Sequence, residues 1–392
     1  MSTRSFAAGW VVNSAADRVT PFYAVEINRV ANERERRGLP VIHMEVGQPS
    51  AGAPAAAIAA GHRALAECPQ GYWESGALAE RIDRHYRETC GHAPGSSRII
   101  LTMGASAALV LAMSVLFTRG ARVAVPRPGY PAHRNVLHAL GLEPVEMDCG
   151  VESRFQPTAA MIAALEPAPA GLILTSPSNP TGTVIPDAEL AAIGAVCAAR
   201  GIRIVSDETY HGITYGARAP TILEHAPSAI VVNTFSKYWC MTGWRLGWAV
   251  VPEPLVDAMR RFSGNLFLVP PTLSQHVALA AMDEVEELEA HVRTYARNRG
   301  LLTGALAGLG IGRIAPADGA FYLYADVGDL TRDSLTWCRE LLDATGVALN
   351  TGRDFDGIHG DRFVRISFAV STAETLRAIE LLDGWLRRRR RA

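Results

Sequence analysis

Two adjacent residues, Ser236 and Lys237, are followed by the run 241–245, which ends in Arg245. A hydroxyl and a guanidinium on either side of a lysine are groups that bind a phosphate, and the amine can form a Schiff base. An isolated Ser-Lys pair is more often a solvated surface pair. Here it follows the apolar run 229–233, which predicts a buried strand. Open α/β sheets bind ligands beyond the carboxyl ends of their strands, so the spacing indicates a lysine-based site.

Similar loops follow other predicted strands. The apolar runs are residues 99–101, 123–125, 172–174, 202–205, 230–232 and 246–250. The loops after the first five carry Gly104-Ala105-Ser106, Pro128-Gly129-Tyr130, the run 176–182 with Asn179, then Asp207, and Ser236-Lys237. Taken alone, each of these loops has a composition typical of an ordinary turn. Five of them on one edge of a sheet indicate a binding site.

Helical stretches rich in alanine, such as residues 105–116 and 187–199, separate most of these strands. This alternation predicts an α/β fold with a largely parallel sheet covered on both faces. We assign residues 51–284 to this large domain.

The pattern of predicted helices and strands changes after about residue 285. A long charged helix over residues 284–309, a strand at 321–324, a helix at 335–344 and a strand at 363–367 predict a smaller α+β domain over 285–392. We expect residues 1–50 to join this small domain, because the apolar stretch 41–46 ends just before the helical segment that opens the large domain.

The composition limits the partners. The 392 residues include 38 Lys+Arg and 39 Asp+Glu, a formal charge of −1, which gives no electrostatic reason to expect nucleic acid or an acidic membrane surface. Small-molecule substrates are expected instead. The arginine run 387–391 favours a solvated end of the last helix over a nucleic-acid or membrane tail.

The six cysteines have no C-x-x-C spacing, which argues against a disulfide framework and against zinc. His43 and His211 have no metal-ligand spacing, so we expect no metal and assign neither a role. The N-terminal stretch is too polar for a signal peptide, and no run of 18 apolar residues occurs, so a cytoplasmic enzyme is expected.

Taken together, these segments resemble the class I/II aminotransferases, pyridoxal 5′-phosphate enzymes of fold type I. The resemblance runs in the family's order from residues 46–49 to residues 364–367. It implies a large domain with a mostly parallel sheet of the seven-stranded type, and a small α+β domain built from both termini. It also implies an amino group moved from an L-amino acid to a 2-oxo acid by a ping-pong mechanism.

The resemblance implies roles around the cofactor ring. Lys237 would form the Schiff base and carry the substrate proton, and Asp207 would keep the pyridine nitrogen protonated. Tyr210, the third catalytic residue, and Asn179 would hydrogen-bond the phenolic oxygen. Tyr130 matches the aromatic residue that stacks on the ring.

For the phosphate, the resemblance implies the helix start at Ala105 and Ser106, the Ser236 hydroxyl and the Arg245 guanidinium. Tyr72 matches a tyrosine that reaches this site from the partner subunit. The resemblance therefore implies a homodimer.

For the substrate, Arg365 matches the arginine that grips the α-carboxylate, with Gly47 and Asn179 beside it. Arg362 is expected at the surface. The side-chain pocket is open: Trp10, Tyr23, Trp73 and the stretch 265–267 are candidates, and core packing explains each equally well.

Two departures from the family pattern concern loops. The loop after Tyr72 is short, with Ala79 where members commonly have arginine, and Ser106 stands where an aspartate-using branch has lysine. A dicarboxylate substrate is therefore less favoured, although another arginine could take the place of that lysine. A lyase or cyclase of the same fold remains the alternative. A cofactor-binding regulator of this fold is not expected, because it needs an attached DNA-binding helix pair, and the residues before Val46 are too few and insufficiently basic for one.

Overall fold

The computed structural model describes residue 13 and residues 15–391. Its α-helices are α1 (Tyr23–Arg36), α2 (Ala55–Glu67), α3 (Gly76–Cys90), α4 (Gly104–Leu116), α5 (Pro131–Ala139), α6 (Ala159–Ala163), α7 (Asp187–Arg200), α8 (Val256–Leu266), α9 (Thr272–Ala281), α10 (Val285–Gly308), α11 (Ser334–Thr345) and α12 (Thr372–Arg391). Its strands are β1 (Ile42–His43), β2 (Ile99–Thr102), β3 (Arg122–Arg127), β4 (Glu143–Asp148), β5 (Gly171–Thr175), β6 (Arg203–Asp207), β7 (Ile230–Thr234), β8 (Gly247–Val250), β9 (Tyr322–Asp326), β10 (Val347–Ala348), β11 (Asn350–Thr351) and β12 (Phe363–Ser367).

The largest sheet has seven strands in the order β2-β8-β7-β6-β5-β3-β4. β8 runs antiparallel to its neighbours β2 and β7, and the other neighbouring strands pair in parallel. The predicted α/β fold with a mostly parallel seven-stranded sheet is confirmed.

Helices cover this sheet on both faces because its strands bury alternate residues in two separate cores. Leu172 and Leu174 of β5 pack with α7 and α9 in one core, and Ile173 packs with α4 in the other. Successive strand residues point to opposite faces, so a strand buried on both sides becomes continuously apolar. This explains why short uninterrupted apolar runs marked the strands.

The edge strand β4 was not predicted. Its apolar residues are interrupted by Glu143, Glu146 and Asp148, and only Met147 is fully buried. An edge strand with a solvated face has no continuous apolar run, so a reading based on such runs misses it.

A second region combines the two ends of the described chain. β11, β12 and β9 form an antiparallel sheet, and β1 pairs in parallel with β10 through Ile42 and Val347. Ile27 of α1 lies in the same hydrophobic core as Leu341 of α11 and Trp385 of α12. The N-terminal segment therefore packs with C-terminal elements.

The arginine run lies at the end of α12, where Arg387 pairs with Asp383 at 2.8 Å and residues 387–390 are exposed. This matches a solvated helix end. Among the described residues, no helix combines the length and the apolar character that crossing a bilayer requires.

Candidate active site

A cavity of about 300 Å³ opens at the carboxyl edge of the seven-stranded sheet. Eleven of the twelve predicted site residues line it, namely Gly47, Ala105, Ser106, Tyr130, Asn179, Asp207, Tyr210, Ser236, Lys237, Arg245 and Arg365. Tyr72 does not line the cavity and is 83% exposed. The structure thus brings together residues that are up to 318 positions apart in the sequence (365 − 47).

Lys237 lies just after β7, and its Nζ donates a hydrogen bond to the Gly47 carbonyl oxygen at 2.5 Å. Burial lowers the pKa of this amine to about 8, and the positive charges of Arg365 and Arg245 act in the same direction. A lysine with this pKa is partly unprotonated near neutral pH, so it can act as a nucleophile and as a base. It is also the one lysine of the sequence.

Asp207 ends β6 and receives two hydrogen bonds. Its Oδ2 lies 3.0 Å from His133 Nε2, and its Oδ1 accepts the Thr209 backbone N–H at 3.1 Å. Burial alone would raise the pKa of Asp207, but the hydrogen bond and charge of His133, together with hydrogen bonding from Thr209, outweigh burial and lower the pKa. The carboxylate therefore stays ionised inside the cavity.

His133 was not singled out from the sequence. It follows Tyr130 by three positions at the start of α5, and the two rings meet edge to face with centroids 5.4 Å apart. An i, i+3 spacing from an aromatic residue already in the site was the available signal.

Hydroxyl, guanidinium and backbone groups converge at the start of α4. Gly104 has φ +78°, and a Cβ there would lie 2.7 Å from Arg245 Nη2, so the position requires glycine. The Thr234 hydroxyl donates to Ser236 Oγ at 2.9 Å, and Arg245 Nη1 lies 3.5 Å from the same atom. With the first N–H groups of α4, these donors can hold an anion.

Arg365 of β12 is only 2% exposed. Its Nη1 donates to Asn179 Oδ1 at 3.0 Å, and its Nη2 donates to the Glu45 carbonyl oxygen at 2.6 Å. Within the described residues, no carboxylate lies within ion-pair distance of it, and its Nε lacks a hydrogen-bond partner. A buried cation held this way favours an anionic ligand. Arg362, by contrast, is exposed and pairs with Asp326 at 2.9 Å, as expected.

Tyr322 of β9 is a second lining residue that the sequence did not reveal. Its hydroxyl lies 2.7 Å from the Tyr210 hydroxyl, and the Arg365 guanidinium lies 4.5 Å from its ring centre. It sits in a run of aromatic residues, which is typical of core strands, so its type alone gave no indication of a site.

The apolar part of the cavity wall comes from the start of α1 and from neighbouring loops and helices. Its members include Phe22, Val25, Val46, Leu109 and Val136. Tyr23, Trp73 and the stretch 265–267 do not line this cavity, and Trp10 lies outside the described residues.

The sequence matches the family described as aminotransferase class I and II over residues 41–382. A valine–pyruvate aminotransferase of Mycobacterium tuberculosis is 44% identical, covering 94% of this chain and 97% of that protein. An aspartate/prephenate aminotransferase of Thermus thermophilus is 30% identical over 92% of this chain and 94% of that protein.

Solved structures agree with these sequence matches. The crystal structure of an aminotransferase from Mycobacterium tuberculosis superposes with a TM-score of 0.93 at 44% identity, covering 96% of this chain and 99% of that one. The predicted family is confirmed: the chain belongs to the class I and II aminotransferases, pyridoxal phosphate-dependent transferases that move an amino group to a 2-oxo acid.

Proposed function

We propose that this aminotransferase takes the amino group of valine, or of an L-amino acid with a similarly small apolar side chain, and gives it to pyruvate. The substrates follow the printed name of the 44% identical relative. The observation that carries the proposal is the placement of one buried, carboxylate-free arginine, Arg365, beside an apolar wall. The amino donor would leave as its 2-oxo acid before pyruvate binds, which is a ping-pong mechanism.

The residues of the cavity fit pyridoxal phosphate. A backbone cradle that a Cβ at Gly104 would fill, together with Ser106, Ser236 and Arg245, suits the phosphate. Ala105 contributes close backbone approach at the same helix start. When bound, the cofactor supplies an electron sink for the electrons left at the substrate Cα after proton loss.

Four further residues would hold the ring. The ionised Asp207 carboxylate, with His133 behind it, would keep a proton on the pyridine nitrogen. Tyr130 would lie against the ring face, and Tyr210 would donate a hydrogen bond to the phenolic oxygen together with Asn179.

Lys237 would be both the anchoring nucleophile and the proton carrier. Because burial and two arginines lower its pKa to about 8, its Nζ can accept the proton from the substrate Cα and return it within the same cavity. The neighbouring Gly47 carbonyl oxygen, at 2.5 Å, would orient the amine.

Arg365 would bind the substrate α-carboxylate with two N–H groups, while Asn179 and the Gly47 loop complete the grip. Lys237, Arg245 and Arg365 are the lysine and arginines in the described lining, and each already has a role. A second substrate carboxylate would find no further arginine or lysine among those residues, which supports a substrate whose side chain carries no carboxylate.

We also propose a homodimer in which Tyr72 reaches the partner's phosphate site. Tyr72 and Trp73 are exposed, and Thr272 Oγ1 donates to the neighbouring Gly71 carbonyl at 2.6 Å. Met103, directly before α4, and Leu268 are exposed as well. Exposed apolar side chains beside an active site are typical of a subunit interface.

We further propose a division into domains and a cellular location. The chain would divide at residues 50 and 284, with residues 1–50 joining residues 285–392, in line with the β1–β10 pairing. The enzyme would work in the cytoplasm, which the scattered cysteines favour.

A half-reaction tests the function. Holoenzyme mixed with L-valine alone is expected to lose its visible cofactor absorption and release one equivalent of 3-methyl-2-oxobutanoate, and pyruvate is expected to restore the absorption and yield alanine. L-Aspartate serves as the matched dicarboxylate control and is expected to react more slowly. Release of ammonia without an amino product would instead support the lyase alternative.

A further inference from the structure

The Tyr322 hydroxyl lies where three parts of the cavity meet. It is 2.7 Å from the Tyr210 hydroxyl, and its ring lies 4.5 Å beneath the Arg365 guanidinium. A Cβ added at Gly47 would lie 2.0 Å from the same hydroxyl, so the Gly47 loop closes directly against it. None of the roles assigned above involves Tyr322.

We infer that Tyr322 is a positioning residue that couples carboxylate binding at Arg365 to the hydrogen bond that Tyr210 donates to the cofactor. The inference rests on the proposed function, because it takes the cofactor contact of Tyr210 from there. Tyr322 itself is assigned no contact with the reacting amine or with the substrate Cα.

The direction of the hydrogen bond between the two tyrosines follows from their proton count. Tyr210 has one hydroxyl proton, and a charged phenolic oxygen is a stronger acceptor than a neutral hydroxyl. Tyr210 therefore donates to the cofactor and accepts from Tyr322. In the part of the chain that the structure describes, Tyr210 is the one hydrogen-bonding partner of the Tyr322 hydroxyl.

Burial keeps this arrangement in place. Tyr322 is 0% exposed, and Tyr210 is 5% exposed, so both side chains are largely shielded from bulk water. Consecutive hydrogen bonds in such surroundings polarise one another, so a stronger donor at Tyr322 makes Tyr210 a stronger donor in turn.

Arg365 sets the donor strength of Tyr322. Burial raises the pKa of Tyr322, while the positive charge of Arg365 over its ring opposes that rise. A carboxylate paired with Arg365 compensates the charge and makes Tyr322 a weaker donor. Tyr210 then stabilises the ionised phenolic oxygen of the cofactor less. Carboxylate binding would therefore raise the pKa of the Schiff base between Lys237 and the cofactor.

The test is a pH titration of the visible absorption of the holoenzyme, with and without saturating 3-methylbutanoate. This probe has the carboxylate of the proposed substrate but no amino group, so it cannot react. In the wild type, 3-methylbutanoate is expected to raise the pH midpoint at which the Schiff base between Lys237 and the cofactor titrates. Tyr322→Phe keeps the ring under Arg365 and removes only the hydroxyl.

For Tyr322→Phe, the midpoint without 3-methylbutanoate is expected to rise by about 0.5–1 pH unit. The further shift on adding 3-methylbutanoate is expected to fall to less than about half of the wild-type shift, since the relay is broken. Because the ring stays in place, KM for valine should remain within about twofold while kcat falls by about threefold to tenfold.

Tyr324→Phe is the matched control. Tyr324 lies on the same strand, is 1% exposed, and its hydroxyl has no hydrogen-bond partner among the described residues. It is not in the cavity lining, so both of its midpoints should equal those of the wild type. Thermal unfolding of both variants shows whether either has lost its fold.

A double-mutant cycle with Tyr210→Phe gives a second, independent readout. If Tyr322 acts through Tyr210, adding Tyr322→Phe to that variant leaves the midpoint unchanged. Wild-type midpoints in Tyr322→Phe, or additive shifts in the double variant, would contradict the coupling and leave the proposed function intact. A wild-type protein that binds no pyridoxal phosphate would overturn both.

Discussion

The phosphate side and the carboxylate side of the cavity are built in different ways. Ser236, Ser106 and Arg245 lie near strand ends of one large sheet, whose register fixes them. Arg365 belongs to the separate three-stranded sheet and is held to the large-domain side by Asn179, 186 positions away. Cofactor binding and substrate binding therefore depend on different contacts, so a substitution can abolish one of them and leave the other intact.

The largest effect is expected where both sides meet, at Lys237. Lys237→Ala removes the nucleophile and the proton carrier together, so kcat should fall by about 10⁴-fold or more, and the visible absorption of bound cofactor should disappear. Absorption spectra and steady-state kinetics check this, and sustained multiple turnover by the variant would refute the role of the lysine.

The next largest effect separates the two sides. Arg365→Leu removes the buried cation that grips the carboxylate, so kcat/KM for valine should fall by about 100-fold through KM while cofactor stays bound. Arg362→Leu, an exposed neighbour paired with Asp326, is the control and should stay near the wild type. Unchanged constants in Arg365→Leu would remove that residue from the site.

A smaller effect is expected on the large-sheet side at His133. Burial favours a raised pKa for Asp207, and His133 opposes it more than Thr209 does, so His133→Ala should raise that pKa. The carboxylate then becomes protonated at a higher pH, so the acidic limb of the kcat/KM profile should shift to higher pH. At pH values below the shifted limb, kcat/KM should be about tenfold lower than in the wild type. His138→Ala, on the same helix but outside the cavity lining, should leave the profile in place.

The smallest effect concerns the subunit interface. Tyr72→Phe removes one neutral hydrogen bond to the phosphate, so cofactor affinity should fall by about threefold to tenfold. Mixing Tyr72→Ala with Lys237→Ala subunits should restore activity through hybrid dimers, because one of the two sites then has both residues. No gain on mixing would argue against Tyr72 acting across subunits.

The difference between the two sides of the cavity also explains which site residues were predictable from the sequence. The loops after parallel strands meet at one sheet edge as a matter of topology, so Asp207, Asn179 and Lys237 were predictable from strand runs alone. The edge strand β4 escaped because its exposed face breaks the apolar run. The family and the fold were recognised from the order of these motifs.

Residues that act through contacts across the fold were not predictable. Tyr322 is indistinguishable in sequence from its core neighbours, and its contacts with Tyr210 and Arg365 exist only once two sheets pack together. The apolar wall at Phe22 and Val25 was missed for the same reason. Such positions depend on tertiary packing, which periodicity does not report.

Lys237 is expected to form the covalent link to pyridoxal phosphate, and one measurement tests this directly because the sequence has no other lysine. Holoenzyme is treated with borohydride, digested and mapped by mass spectrometry. We expect one pyridoxyl-modified peptide, containing Lys237, in near-stoichiometric yield. Modification confined to the N-terminal amine, or no modification of an enzyme that turns over valine, would contradict it.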